Sequence, residues 1–227
     1  MIAYGKIIPQ AILDIPKYGC INVHASLLPK YRGASCLNAP IINADAETGI
    51  TIMKMDAGMD TGPILRQEIL KLDESSNLEQ VHDKLSQLGA DVLPKTLKDF
   101  IAGKVTPKQQ DESLATYVTM TKKEDGNIKW SESAEKIERL IRGLNPWPGT
   151  FTHNSNDKLI KILKAKLDLD DQSQGEIGQV YEKNKNLAVH CGQNKLIILE
   201  LQTEGGKAMP SSQFLSGHQD IIGQILK

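Results

Sequence analysis

One stretch limits the possible folds more than any other. Leu78, Val81, Leu85, Leu88, Val92 and Phe100 recur at three-to-four-residue spacing apart from one longer step, the mark of an amphipathic helix. Ahead of them, Ser76-Asn77-Leu78-Glu79 has the form of a capping box, with Ser76 capping a backbone N–H and Glu79 reaching back to the cap. Pro94 is a potential break or kink and Gly103 a natural stop. Before this helix the chain offers short apolar runs that read as strands: residues 1–4 as the end of one closed by Gly5, then Cys20–His24, Thr48–Met55 and Pro63–Leu72. A short helix is predicted over Ala34–Ala44. Strands alternating with helices favour an α/β layer over a β-sandwich.

Beyond Gly103 the pattern changes. Residues 104–121 are polar, with Pro107, paired glutamines and Asp111-Glu112, and read as an interdomain linker. A helix over about Ala134–Ile141 then ends in Gly143 and the rigid turn Asn145-Pro146-Trp147-Pro148-Gly149. Four short strands follow, Leu159–Leu167, Glu176–Tyr181, Leu187–Cys191 and Lys195–Leu201, separated by Gly- and Asn-rich turns, which predicts a small β-barrel. The expected organisation is therefore a first domain over 1–103, a linker over 104–121 and a second domain over 122–227.

Composition narrows the class. Of 227 residues, 40% are hydrophobic and 24% charged, the balance of an ordinary globular chain. The formal net charge of −1 argues against a histone-like polycation but leaves room for a local basic stripe that binds phosphate. The three cysteines, Cys20, Cys36 and Cys191, form no C-x-x-C pair, so neither a disulfide framework nor a zinc knuckle is expected. No apolar run approaches the roughly 20 residues that span a membrane, and the amino terminus does not read as a signal peptide. A cytoplasmic, monomeric protein without a metal and without a membrane partner is expected.

The stretch from Asn22 to Gly33, Asn-Val-His-Ala-Ser-Leu-Leu-Pro-Lys-Tyr-Arg-Gly, carries the most chemistry. Asn22 and His24 stand two apart on a predicted strand, so their side chains leave one face. They lie at its C-terminal end, where open α/β sheets place ligands. Asp56-Ala57-Gly58-Met59-Asp60-Thr61-Gly62 adds carboxylates among glycines that permit tight turns. Taken singly, the histidine reads as a hydrogen-bonded structural residue and the aspartates as turn chemistry. His82, His153, His190 and His218 are scattered without metal-ligand spacing, no phosphate-cradling glycine motif occurs, and Cys36 reads as a small buried apolar residue.

Together, His24-Ala25-Ser26-Leu27-Leu28-Pro29-Lys30-Tyr31-Arg32-Gly33 and Gly58-Met59-Asp60-Thr61-Gly62 resemble the two signatures of the folate-dependent formyltransferases. Asn145-Pro146-Trp147-Pro148-Gly149 and Gly206-Lys207-Ala208-Met209-Pro210 are similar to the carboxy-terminal domain of the methionyl-tRNA formyltransferase branch. The resemblance implies an α/β fold in two parts: part of a Rossmann-like catalytic domain, then a small OB-like β-barrel domain. It also implies further βα units ahead of Met1 in relatives, so that 1–103 corresponds to the C-terminal part of a catalytic domain and little turnover is expected of this chain.

The resemblance further implies a reaction: transfer of a formyl group from 10-formyltetrahydrofolate to the amino group of methionyl initiator tRNA. Its Asn-His-Asp constellation falls on Asn22, His24 and Asp60. The folate pocket would use Ser26, Leu27, Leu28 and Pro29, with the backbone of Tyr4, Gly5 and Lys6 nearby. The chemistry is consistent, because amine attack on the formyl carbon creates an oxyanion that needs positioned donors. A carboxylate beside an imidazole favours its charged form. For the tRNA, Lys158, Lys161, Lys164 and Lys166 form an acid-free basic run on a predicted strand, which reads equally as a solvated lysine-rich edge. A sugar-nucleotide amine as acceptor, and a non-catalytic tRNA-binding relic, are the alternatives.

Overall fold

The computed structural model describes residues 8–227 and divides into two compact units between Thr121 and Lys122. Tyr4, Gly5 and Lys6, and the strand end expected at 1–4, lie outside the described residues.

The first unit opens with a one-turn helix, α1 (Gln10–Leu13), and the strand β1 (Ile21–His24). A two-residue strand, β2 (Arg32–Gly33), and the short helix α2 (Ala39–Ile42) follow. α2 covers only the end of the helix predicted over Ala34–Ala44. Next come β3 (Glu47–Lys54), β4 (Ile64–Lys71) and the long helix α3 (Leu78–Ile101). The sheet order is β1-β3-β4, and both pairings are antiparallel. The parallel layer that strand–helix alternation suggests is thus absent among the described strands. Between β1 and β3 the chain has a single four-residue helix, not the crossover helix that a parallel return uses. β3 lies between its two neighbours and is buried from Thr48 to Met53. Ile50, Val81 and Leu85 form the core where α3 packs on the sheet.

The cap of α3 sits one residue later than its sequence suggests. Asn77 accepts a hydrogen bond from the Gln80 amide (2.9 Å), and Gln80 Oε1 accepts one from the Asn77 amide (3.3 Å). Ser76 is buried, its hydroxyl accepting instead from the Asp73 amide. The helix also continues through Pro94. Proline removes the N–H that would serve the Ala90 carbonyl, but both residues are exposed, so solvent can take its place.

The polar segment 104–121 does not hang free between domains; it is hydrogen-bonded into the first unit. Lys108 and Ile64 exchange both backbone hydrogen bonds (2.7 and 2.8 Å) along the edge of β4. Tyr117–Val118 forms β5, parallel to β2. Most of its side chains face solvent, but Gln110, Glu112 and Tyr117 reach the buried Arg32.

In the second unit α4 (Ala134–Leu144) is capped by Ser133, runs through Gly143, and packs on a sheet. The sheet's main strands are β6 (Thr150–His153), β7 (Leu159–Asp168), β8 (Val180–Lys183), β9 (Asn186–His190) and β10 (Lys195–Thr203). Their order is β6-β7-β10-β9-β8 with antiparallel pairings, and the short β11 (Met209–Pro210) adds to β10 ahead of α5 (Ser211–Gly217). The expected barrel is not closed by strand pairing, since no ladder joins β6 to β8 among the described strands. The C-terminal residues touch both edges instead: Lys227 exchanges hydrogen bonds with His153, while Gln224 and Leu226 bond to Val180 and Gly178. β7 and β10 change face together. Ile160, Ile162 and Leu201 point into the core before a shared irregularity, and Ala165, Leu167, Ile198 and Leu196 after it. An alternation of two would otherwise turn half of these outward.

Candidate active site

His24 ends β1, opposite Thr51 of β3, and is only 6% exposed. Its Nε2 donates to the Tyr31 carbonyl (3.0 Å) and its Nδ1 lies 3.6 Å from Asp60 Oδ2. Asp60 arrives from the loop between β3 and β4 with a left-handed backbone (φ 54°), and its Oδ2 also accepts from the Gly33 amide (2.9 Å). Gly33 has φ 110°, and a Cβ there would collide with the Val118 carbonyl, so only glycine lets that amide approach. Asp56 is turn chemistry, accepting from Gly58 and Thr61. Two of the three expected catalytic residues are therefore neighbours. Asn22, half-buried and opposite Met53, stands two residues before His24 on the same strand face.

Burial works against a charge on the His24 ring. The hydrogen-bonding side chain of Cys36, the Asp60 carboxylate and the Tyr31 carbonyl work for it and prevail, raising the pKa to about 9. These partners favour the charged form of the ring, with Nε2 on the Tyr31 carbonyl and Nδ1 facing the Asp60 carboxylate. Cys36 is buried, as expected of a small apolar residue, but it is also a polar neighbour of the histidine. That could not be read from the sequence, where the two stand twelve positions apart.

A second set of residues, missed by the sequence reading, holds the pair in place. Gln110 Nε2 donates to the carbonyls of Asp60 (2.7 Å) and Gly62 (2.8 Å), while its Oε1 accepts from Arg32 Nε (3.1 Å) and Nη2 (2.8 Å). The fully buried Arg32 forms a fork to Glu112 (2.6 and 2.8 Å) and bonds to the Tyr117 hydroxyl (2.8 Å). Tyr31 and Gly33, which contact His24 and Asp60, flank this arginine. The available signal was the acid–amide cluster Gln110-Asp111-Glu112, whose polarity suggested a linker.

The loop expected to bind folate is hydrogen-bonded mainly to residues outside it. The carbonyls of Ser26, Leu27, Leu28 and Pro29 accept from Thr51 Oγ1, the Lys30 amide, Gln67 Nε2 and the Thr116 amide. The Ser26 hydroxyl donates to the Lys30 carbonyl (2.6 Å). A cavity of about 180 Å³ opens beside the loop, bounded by Leu27, Lys30, Tyr31, Asp45 and Thr48; neither His24 nor Asp60 lines it.

In the second unit Lys158, Lys161, Lys164 and Lys166 are all exposed. The face change in β7 places Lys161, Lys164 and Lys166 outward together, and Lys164 pairs with Glu200 (3.1 Å). No helix among the described residues is long and apolar enough to cross a membrane.

Residues 1–97 match the family described as formyl transferase, and residues 120–219 match formyl transferase, C-terminal domain. The methionyl-tRNA formyltransferase of Caldanaerobacter subterraneus subsp. tengcongensis is 48% identical over 225 residues, 99% of this chain and 72% of that protein. That of Citrifermentans bemidjiense is 45% identical over 226 residues, 100% of this chain and 70% of the relative. Among solved structures, methionyl-tRNA formyltransferase from Clostridium thermocellum superimposes with a TM-score of 0.60 at 25% identity, covering 74% of this chain and 71% of that one. HypX from Aquifex aeolicus in complex with tetrahydrofolic acid gives 0.64 at 15% identity over 87% of this chain and 35% of that one, a likeness of fold alone. The fold is that of the formyltransferases, a Rossmann-like N-terminal domain with a β-rich C-terminal one. The chain belongs to the methionyl-tRNA formyltransferase family.

Proposed function

We propose that this protein transfers a formyl group from 10-formyltetrahydrofolate to the amino group of methionyl initiator tRNA, with Asn22, His24 and Asp60 as its catalytic residues. The observation that carries the site assignment is the meeting, at 3.6 Å, of the buried His24 at the end of β1 with Asp60 from the loop between β3 and β4. In the reaction a bond forms between the amine nitrogen and the formyl carbon, and the bond from that carbon to the folate nitrogen breaks. The attacking ammonium must lose a proton, which the Asp60 carboxylate can accept, and the folate nitrogen must gain one as it leaves. Between these steps the carbonyl oxygen becomes an oxyanion. The Asn22 amide and a charged His24 ring are the donors suited to it. His24 Nε2 is bonded to Tyr31, so that hydrogen bond must give way to the substrate.

In this reading the first unit, through Ser26, Leu27, Leu28 and Pro29 and through Tyr4, Gly5 and Lys6, holds the folate without a metal. Because the loop carbonyls already have partners, its apolar side chains supply the contact. The second unit, an OB-like barrel completed by its C-terminal tail, meets tRNA phosphates with Lys158, Lys161, Lys164 and Lys166. The protein acts as a monomer in the cytoplasm. The direct test is formyl transfer from labelled 10-formyltetrahydrofolate to initiator methionyl-tRNA by the purified protein. Because little turnover is expected of residues 1–227 alone, the assay includes this chain joined to the preceding βα units of a relative, and absence of labelled formyl-methionyl-tRNA from that form would defeat the reading.

A further inference from the structure

The chain has two tryptophans, and their surroundings are opposite. Trp130 is 4% exposed, with its Nε1 donating to Thr152 Oγ1 (2.9 Å). Trp147, set between Pro146 and Pro148, is 63% exposed. It borders a cleft of about 300 Å³ within the second unit, whose other walls include Phe151, Leu159, Lys123 and Lys161. The lining residues carry two cations and no carboxylate. Lys161 belongs both to this cleft and to the outward row on β7, with Lys158 exposed just ahead of the strand.

An exposed indole beside a second aromatic ring offers a flat apolar surface to a planar partner. Flanking ammonium groups favour a partner that is anionic along its edge. Aromatic platforms inside a positive groove are the means by which proteins hold unpaired nucleotides without reading sequence, because every base has a stacking face. A base-paired stem buries its stacking faces in its own helix and offers phosphates, 2′-hydroxyls and groove edges instead.

We propose that this cleft is a stacking site for one unpaired nucleotide of an RNA. The base lies against Trp147 and Phe151, its phosphate sits between Lys123 and Lys161, and the neighbouring backbone continues toward Lys164 and Lys166. The inference rests on the reading that an RNA is the acceptor, and adds to it a site that distinguishes single-stranded from paired segments.

The test uses Trp147 as its own reporter. In a Trp130→Phe variant the remaining indole is Trp147, and tetraadenylate should quench its emission, whereas a blunt RNA duplex with the same number of phosphates should not. If Trp130→Phe fails to fold, the wild-type protein should show the same quenching confined to the red edge of its emission, where an exposed indole contributes. Trp147→Ala should weaken tetraadenylate binding about tenfold. Gel-shift titration with initiator methionyl-tRNA runs in parallel. If wild type and Trp147→Ala bind this tRNA equally and tetraadenylate leaves the fluorescence unchanged, the cleft assignment is wrong and the acceptor reading stands. If tetraadenylate quenches but the tRNA does not bind, the cleft assignment stands and the acceptor reading fails. Quenching by an acidic proline-rich peptide without quenching by tetraadenylate overturns the proposal in favour of a protein partner.

Discussion

In the first unit the residues suited to chemistry are buried or half-buried, and His24 and Asp60 sit beside side-chain hydrogen bonds that cross long sequence separations. In the second the residues suited to binding stand on the outer face of a sheet whose inner face is apolar. The contrast teaches how differently the two should respond to substitution. Each member of a buried polar network supports its neighbours, so one loss leaves others without partners. Exposed lysines act nearly independently, so their losses should add.

The largest effect should come from His24→Ala. Loss of one donor to a developing oxyanion typically lowers the rate by about 10²–10³. The expected result is a fall in kcat with KM for the folate little changed, read from steady-state formylation kinetics. A rise in KM alone would place His24 in binding and blur the contrast between the units.

Next comes the pH dependence of stability. The folded ring titrates at about 9 against an ordinary value of 6.5, so its charge stabilises the fold fully below pH 6.5 and the contribution disappears as pH rises through 9. At about 1.4 kcal/mol per pH unit the interval from 6.5 to 9 sets an upper bound of about 3.5 kcal/mol. Urea denaturation at several pH values should show wild type losing stability relative to His24→Gln across this interval. Parallel curves for the two proteins would show that the ring is not charged in the folded state.

Gln110→Ala should follow. It removes two hydrogen bonds from the Asp60 loop and two from the buried Arg32, at a cost of about 1–3 kcal/mol for the groups left unsatisfied. Because Asp60 shifts with its carbonyl, kcat should fall as well. Gln110→Glu, which keeps the acceptor for Arg32, should recover stability better than activity. Equal losses in both would reduce Gln110 to a structural residue.

The smallest effects belong to Lys161→Ala and Lys166→Ala. Each should change folding stability by less than about 0.5 kcal/mol. Each should also lessen the salt dependence of tRNA binding by about one unit of slope while leaving kcat alone. A large, cooperative loss on a single substitution would mean that this surface behaves like the catalytic network after all.

Much of this organisation is legible in the residues themselves. The spacing from Leu78 to Val92 specifies α3, and short apolar runs mark β1, β3, β4, β7 and β10 within a few residues, because periodicity is a local property. Cap position is decided more finely, by which side chain can reach which amide; burial of Ser76 passes the role to Asn77. Motif chemistry pointed to His24 and Asp60 through resemblance, but their approach to 3.6 Å depends on the left-handed turn at Asp60 and the close approach of Gly33.

What no window of sequence could decide is which polar residues would meet the buried ones. Gln110, Glu112 and Tyr117 look like linker residues until the fold brings Arg32 among them, and Cys36 looks merely apolar until it meets His24. The shared face change in β7 and β10 is equally invisible, since each strand's deviation makes sense only against its partner's. Local pattern determined the elements, because propensity and periodicity act over a few residues. Tertiary structure alone chose the partners, because a buried polar group must find its hydrogen bonds wherever the chain returns.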